Sequence, residues 1–207
     1  MDPVPTRASL LARLADGSDE LAWREFHQLY GGLITRVATR RGLQPADCDD
    51  VAQNVLIRLS RAMKGFEYDA ARGRFRGYLK RVVMSEIADR ARQSRGRRPV
   101  SASEEVLSFA AAEPEAERIW EEEWRHHHVE RAMRVIETEF GEKDRLAFEH
   151  YATQGRGAEE TATMLGLSLA QVYQAKSRIL RRLADLVASQ VKQEEGDAPA
   201  DGDARRS

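Results

Sequence analysis

Residues 158–183, AEETATMLGLSLAQVYQAKSRILRRL, read as two short helices joined by a tight turn, and the rest of the chain is organised around them. Glu159, Glu160 and Thr161 open a short amphipathic run with Ala162 and Leu165 on its inward side. Gly166 then stands where a helix wants a left-handed cap, a conformation glycine takes without a Cβ penalty. Ser168 precedes the next run, and its hydroxyl is placed to accept an orphan backbone N–H. In that run Val172, Ile179, Leu183 and Leu186 keep a helical period, while Gln171, Gln174, Lys176, Ser177, Arg178 and Arg181 take the opposite face. Two short helices around a glycine turn, the second rich in Gln, Ser, Lys and Arg, make a helix-turn-helix. An ordinary helical hairpin with a solvated basic face has the same period.

Composition narrows the rest. Hydrophobic residues at 42% and charged residues at 32% fit a helical globular chain. No apolar run is long enough to span a bilayer, and no signal segment opens the chain. The lone cysteine, Cys48, has no CxxC partner for zinc and no second cysteine to pair with. A cytoplasmic location is expected.

The formal net charge of −1 hides a strong asymmetry. Residues 72–98 carry ten Arg and Lys against Glu86 and Asp89; residues 104–123 carry eight glutamates and one arginine. A basic stripe confined to one segment is the footprint of a polyanion partner.

Taken in order, the chain is all-α: two small helical domains joined by a flexible linker, the second ending in the helix-turn-helix. Residues 1–20 form a lead-in. Residues 21–95 form the first domain, with Ser18 or Asp19 capping a helix whose stripe runs through Phe26, Leu33, Ile34 and Val37. Gly42 ends it and Pro45 opens the next helix, which faces Val51, Val55 and Leu59 inward and Asp47, Asp50, Gln53, Asn54 and Arg58 outward. After a glycine-punctuated loop, the run from Phe75 interleaves aromatic and basic residues: Phe75, Arg76, Tyr78, Lys80, Arg81 and Arg92, with Ser85 among them. Bases stack on aromatic rings while cations track phosphates. Phe75 and Tyr78 would equally well close a core, with the arginines as its rim. Residues 96–125 read as linker, 126–188 as the second domain and 189–207 as a disordered tail.

These stretches together resemble a known family. DCDDVAQNVLIRLSRAMKGF (47–66), FRGYLKRVVMSEIADRARQSRGRR (75–98), RLAFEHY (145–151) and the helix-turn-helix are similar, in order and spacing, to the extracytoplasmic-function sigma factors of bacterial RNA polymerase. Tyr78 stands where that family usually has Trp, Ser85 where it commonly has Asn in a base-capturing loop, and Thr161 where it has Ile or Val. The resemblance implies a factor that directs core RNA polymerase to promoters and melts the minus-ten element. Asp47, Asp50, Gln53, Asn54 and Arg58 would then dock on the polymerase. Phe75, Arg76, Tyr78, Lys80, Arg81, Ser85 and Arg92 would hold the unpaired minus-ten strand. Gln171, Gln174, Lys176, Ser177, Arg178 and Arg181 would read the minus-thirty-five duplex. Its partners are core polymerase, promoter DNA both double-stranded and melted, and an anti-sigma protein where one exists.

Other classes fit less of the sequence. His126, His127 and His128 are consecutive, so on a helix they point about 100° apart and do not converge on one ion. No catalytic constellation or phosphate loop is discernible, and neither enzyme activity nor a cofactor is expected. The alternative from another class is a regulator that binds duplex DNA through the helix-turn-helix without polymerase. A sigma-like adaptor that binds polymerase without melting DNA is a third reading.

Overall fold

The computed structural model describes residues 8–15, 19–63, 75–94 and 113–195, and every regular element among them is helical. In chain order these are α1 (Ala8–Ala15), α2 (Glu20–Arg40), α3 (Pro45–Met63), α4 (Phe75–Ser94), α5 (Pro114–Glu139), α6 (Glu142–Phe148), α7 (Ala158–Leu165) and α8 (Leu169–Glu195). A π-helical turn, Glu149–Thr153, follows α6. None of these helices is long and apolar enough to cross a membrane.

The chain divides into two compact units, and the division falls between His127 and His128, inside α5. In the N-terminal unit α2, α3 and α4 pack in sequence around one apolar core, with α1 against α2 and α3. The local signals are those expected. Asp19 caps α2, its Oδ1 accepting from the Ala22 N–H at 2.8 Å. Gly42 ends that helix region at φ +86°.

The core itself is aromatic. Phe26, Tyr30 and Phe75 meet at centroid distances of 4.8–6.0 Å. Tyr30 also stacks on Trp124 and on His127, at 6.1 and 5.4 Å. Aromatic pairs at such spacings add to what burial alone contributes.

Two differences from the expected boundaries appear here. The linker was expected to reach residue 125, yet α5 starts at Pro114, and Ala116, Ile119, Trp120 and Trp124 are buried in the N-terminal core. Apolar residues at 116, 119, 120 and 124 repeat at helical spacing, which drives a helix to bury that stripe. Residues 96–112 lie outside the described residues. At the other end, α8 continues to Glu195 through the start of the expected tail. Gln190 holds it there: it is buried, and its Oε1 lies 3.1 Å from His128 Nδ1.

In the C-terminal unit Ala132, Ile136, Phe148, Ile179 and Leu186 form a second core. Gly166 caps α7 in the left-handed conformation, φ +62°. Ser168 and Gln171 cap α8 reciprocally: the Gln171 N–H donates to Ser168 Oγ at 3.2 Å, and the Ser168 N–H to Gln171 Oε1 at 2.8 Å.

Candidate nucleic-acid interface

The second helix of the turn offers a sorted surface. Val172, Ala175 and Ile179 are fully buried, and this fixes which face of α8 points outward. On that face Gln171, Gln174, Ser177, Arg178 and Arg181 are exposed. Leu167, Tyr173 and Asp144 join Gln171, Gln174, Ser177 and Arg178 around one shallow groove. The cations there are not equivalent. Arg178 donates from Nη2 to both oxygens of Asp144 at 2.9 Å, which orients its guanidinium. Lys176 Nζ sits 4.8 Å above the Tyr151 ring. Arg182, absent from the expected set, is engaged by Glu139 at 2.6 and 2.7 Å. That pair holds the Glu139 carboxyl below its usual range. Gln174, Ser177 and Arg181 are the members best placed to reach a duplex.

In the N-terminal unit the expected residues part into three groups. Gln53 and Asn54 are exposed on α3. Asp47 and Asp50, next on that ridge, are both held by Arg90 of α4: Asp47 accepts from Nε at 2.8 Å, and Asp50 lies 2.6 Å from Nη2. Arg58 turns toward α4. Its Nη1 donates to Ser85 Oγ at 3.0 Å, and its Nε lies 3.1 Å from Glu86. Burial raises the Glu86 carboxyl, against the lowering effect of Arg58. Arg58 is therefore a clasp between helices first and a surface residue second.

Two of the expected DNA contacts are interior. Phe75, 6% exposed, lies edge-on to Phe26 and packs on Tyr30, so it closes the core. Ser85, 1% exposed, is in the middle of α4 and accepts from Arg58; it belongs to no loop. The reason is shared. The helix period places positions 75, 79, 82 and 83 inward, and 85 falls beside the α3 clasp. Tyr78 differs from both: it is half-buried, with the Arg81 guanidinium 6.0 Å over its ring, and Arg81 is exposed. Burial raises the Tyr78 hydroxyl above its usual range.

The remaining basic residues of α4 are all paired. Arg92 meets Asp89, Arg76 meets Glu121, and Lys80 meets Glu117. The Arg76 guanidinium also lies 5.1 Å from the Trp124 ring centroid. On α2, Arg36 and Arg40 reach Glu123 at 2.8 and 3.1 Å, Arg40 reaches Glu122 at 2.6 Å, and Arg41 reaches Glu113 at 2.7 Å. Sequence reasoning missed these three arginines at the C-terminal end of α2, because they sit outside the basic stripe of residues 72–98.

The seam has a pH signature. Hydrogen bonds from Arg76 and Arg40 hold the Glu121 and Glu122 carboxyls below their usual range. Stability from a lowered carboxyl is complete above its unfolded pKa, about 4.3 for Glu, and is lost as pH falls through the folded value. Glu86 has the opposite sign: its contribution is present below about 4.3 and lost as pH rises through its raised value. Thermal melts should therefore fall between pH 5 and pH 3, and Glu121→Gln with Glu122→Gln should flatten that fall. An equally steep fall in the double variant would remove these two carboxylates from the account.

No group of three His, Cys, Asp or Glu able to hold a metal occurs among the described residues. The three histidines diverge: His126 is exposed, His127 stacks on Tyr30, and His128 faces Gln190.

Comparison with known proteins adds what the chain is similar to. The model for sigma-70 region 2 matches residues 26–97, which take in α3, α4 and all but the first turn and a half of α2. The ECF RNA polymerase sigma factor SigE of Mycolicibacterium smegmatis is 25% identical over 185 residues, covering 89% of this chain and 68% of that protein. A solved structure of CnrH in complex with the cytosolic domain of CnrY aligns over 88% of this chain and 97% of that one. The identity is 21% and the TM-score 0.36.

Proposed function

We propose that this chain, a member of the extracytoplasmic-function sigma factors, carries core RNA polymerase to promoters and opens the minus-ten element there. A role in promoter recognition follows from the family; the division of labour below is our reading. One observation supports it above the rest. The region 2 match takes in the basic α4, and the same chain carries a capped helix-turn-helix whose second helix exposes Gln174, Ser177 and Arg181.

In this reading α3 meets the polymerase. Gln53 and Asn54 make direct contact, and Asp47 and Asp50, set by Arg90, supply negative charge beside them. Tyr78 and Arg81 take an unpaired base, the ring by stacking and the guanidinium by its charge. Unpairing costs a few kcal/mol per base, so a surface that captures the exposed base favours the open state. Arg76, Lys80 and Arg92 hold phosphates. Phe75 and Ser85 support this surface from inside and touch no DNA. Gln171, Gln174, Lys176, Ser177, Arg178 and Arg181 form the minus-thirty-five face, with the oriented Arg178 beside the groove. The work is done in the cytoplasm, where polymerase is, and needs no cofactor.

Co-elution of this chain with core polymerase tests the first step. The unaltered chain should co-elute, and Gln53→Ala with Asn54→Ala should weaken binding about tenfold, some 1.4 kcal/mol. A chain that never associates with core yet shifts promoter duplex alone is a polymerase-independent regulator instead.

A further inference from the structure

One short stretch of α5 and the residue before it sets five carboxylates against five cations of the same unit. Glu113 meets Arg41, Glu117 meets Lys80, Glu121 meets Arg76, Glu122 meets Arg40, and Glu123 meets Arg36 and Arg40. The register is ordered. As numbers rise along α5, partner numbers fall on α4, from 80 to 76, and on α2, from 41 to 36. The stretch therefore runs antiparallel to both helices, with Glu117 and Glu121, one turn apart, aimed at α4. Below it Ala116, Ile119, Trp120 and Trp124 are buried, so the apolar side anchors the helix while the acidic side faces the cations.

We propose that Arg36, Arg40, Arg41, Arg76 and Lys80 form one phosphate-binding face, and that residues 113–123 cover it as an internal substitute for nucleic acid. This rests on the promoter-recognition reading and adds a restraint to it. A carboxylate offers a guanidinium the same oxygen acceptors as a phosphate. Five negative charges on five positive ones cancel the face's field, so the free chain attracts a polyanion weakly there. The cover is displaceable at Glu113, Glu117, Glu121 and Glu122, whose side chains are 37–50% exposed, because such ion pairs are individually weak and screened by salt. The buried Glu123 stays with Arg36 and Arg40. Phosphates take the cations one by one, with the helix body still anchored by its tryptophans. The acidic stripe beside the basic stripe in the sequence thereby acquires a purpose.

The test is binding of a labelled single-stranded 20-mer to the full chain, without polymerase, across a salt series. Glu117 and Glu121 have side chains 50% and 43% exposed, and glutamine at both keeps an amide oxygen for Lys80 and Arg76 to donate to while removing the charge. Glu117→Gln with Glu121→Gln should tighten binding about five- to tenfold. It should also steepen the salt dependence by one to two phosphates' worth, at roughly 0.7 in log–log slope each. Adding Arg76→Ala and Lys80→Ala should reverse both changes. The same charge removed at the exposed Glu115 and Glu137 should change binding less than twofold. If the Glu117/Glu121 variant binds no better than the Glu115/Glu137 control while both still initiate with core polymerase, the cover is wrong and the promoter reading stands. If Arg76→Ala with Lys80→Ala leaves polymerase-dependent initiation intact, the promoter role of this face fails, and the proposal with it.

Discussion

Phe75→Ala is expected to destabilise the N-terminal unit by about 3–5 kcal/mol, the range for deleting a buried aromatic ring. Its ring packs edge-on to Phe26 and against Tyr30. A loss that large should lower the unfolding midpoint of this unit by well over 10 °C, at roughly 4 °C or more per kcal/mol for a unit near 100 residues. Tyr78→Ala, three residues on, should separate the two roles an aromatic residue has here. Tyr78 is half-buried, so its removal costs less stability, while a stacking contact worth about 1–3 kcal/mol per base is lost from promoter opening. The expected pattern is a misfolded or strongly destabilised Phe75→Ala protein, and a folded Tyr78→Ala protein with initiation reduced roughly 5- to 100-fold. Circular-dichroism melts alongside initiation assays give both readings. A Phe75→Ala protein that melts normally but cannot open a promoter would return Phe75 to the DNA surface and undo the core assignment.

The second large effect is expected on α8, and it should divide by residue type. Gln174 is exposed in the groove, and a glutamine reading adenine bidentately is worth about 1–3 kcal/mol of discrimination. Gln174→Ala should therefore cost some 5- to 100-fold at the preferred upstream element and flatten the preference at one base pair. Arg181→Ala should weaken binding to all upstream sequences alike and lower the salt slope by about one, as loss of a phosphate contact does. Competition binding of the polymerase complex over single-base variants of the upstream element distinguishes these outcomes. A uniform loss for Gln174→Ala and a base-specific loss for Arg181→Ala would reverse the assignment. Arg178→Ala is a third case, since it also releases Asp144 from a two-oxygen clamp.

What the sequence disclosed and what it withheld divide by distance along the chain. The Gly166 turn, the Ser168 cap and a cap at Ser18 or Asp19 were legible because each depends on residues within one helical turn. The outward set on α8, apart from the half-buried Lys176 over Tyr151, was legible because Val172 and Ile179 announce the buried face by their period. Phe75 was not. An aromatic at a helix start is compatible with a core or a surface until its neighbours are known, and Phe26 and Tyr30 lie more than forty positions away. The pairing of Arg76 and Lys80 was hidden for the same reason, since their partners are 45 and 37 residues distant. So was Ser85, whose burial follows from Arg58 reaching across from α3. The division inside α5 has no local mark at all. Residues 114–139 keep one helical pattern, but Trp120 and Trp124 serve one core and Ala132 and Ile136 the other. Periodicity reports that a face is apolar, not which core it enters.

The placement of acidic and basic stripes illustrates the same limit. Both were visible as composition, and the confinement of the basic one to a single segment suggested a polyanion partner. That the acidic stripe supplies carboxylates to that stripe, and to Arg36 and Arg40 of α2 and the adjoining Arg41 besides, required the fold.

The central claim is that this chain confers promoter-specific initiation on core RNA polymerase. Run-off transcription on a pool of genomic promoter fragments, with core polymerase and with or without the chain, tests it most directly. A Tyr78→Ala, Arg81→Ala protein serves as the comparison. The account predicts starts that appear only with the chain, share a two-block upstream motif, and weaken sharply with the double variant. Starts that are absent with the chain present, while the chain alone retards promoter duplex, would contradict it.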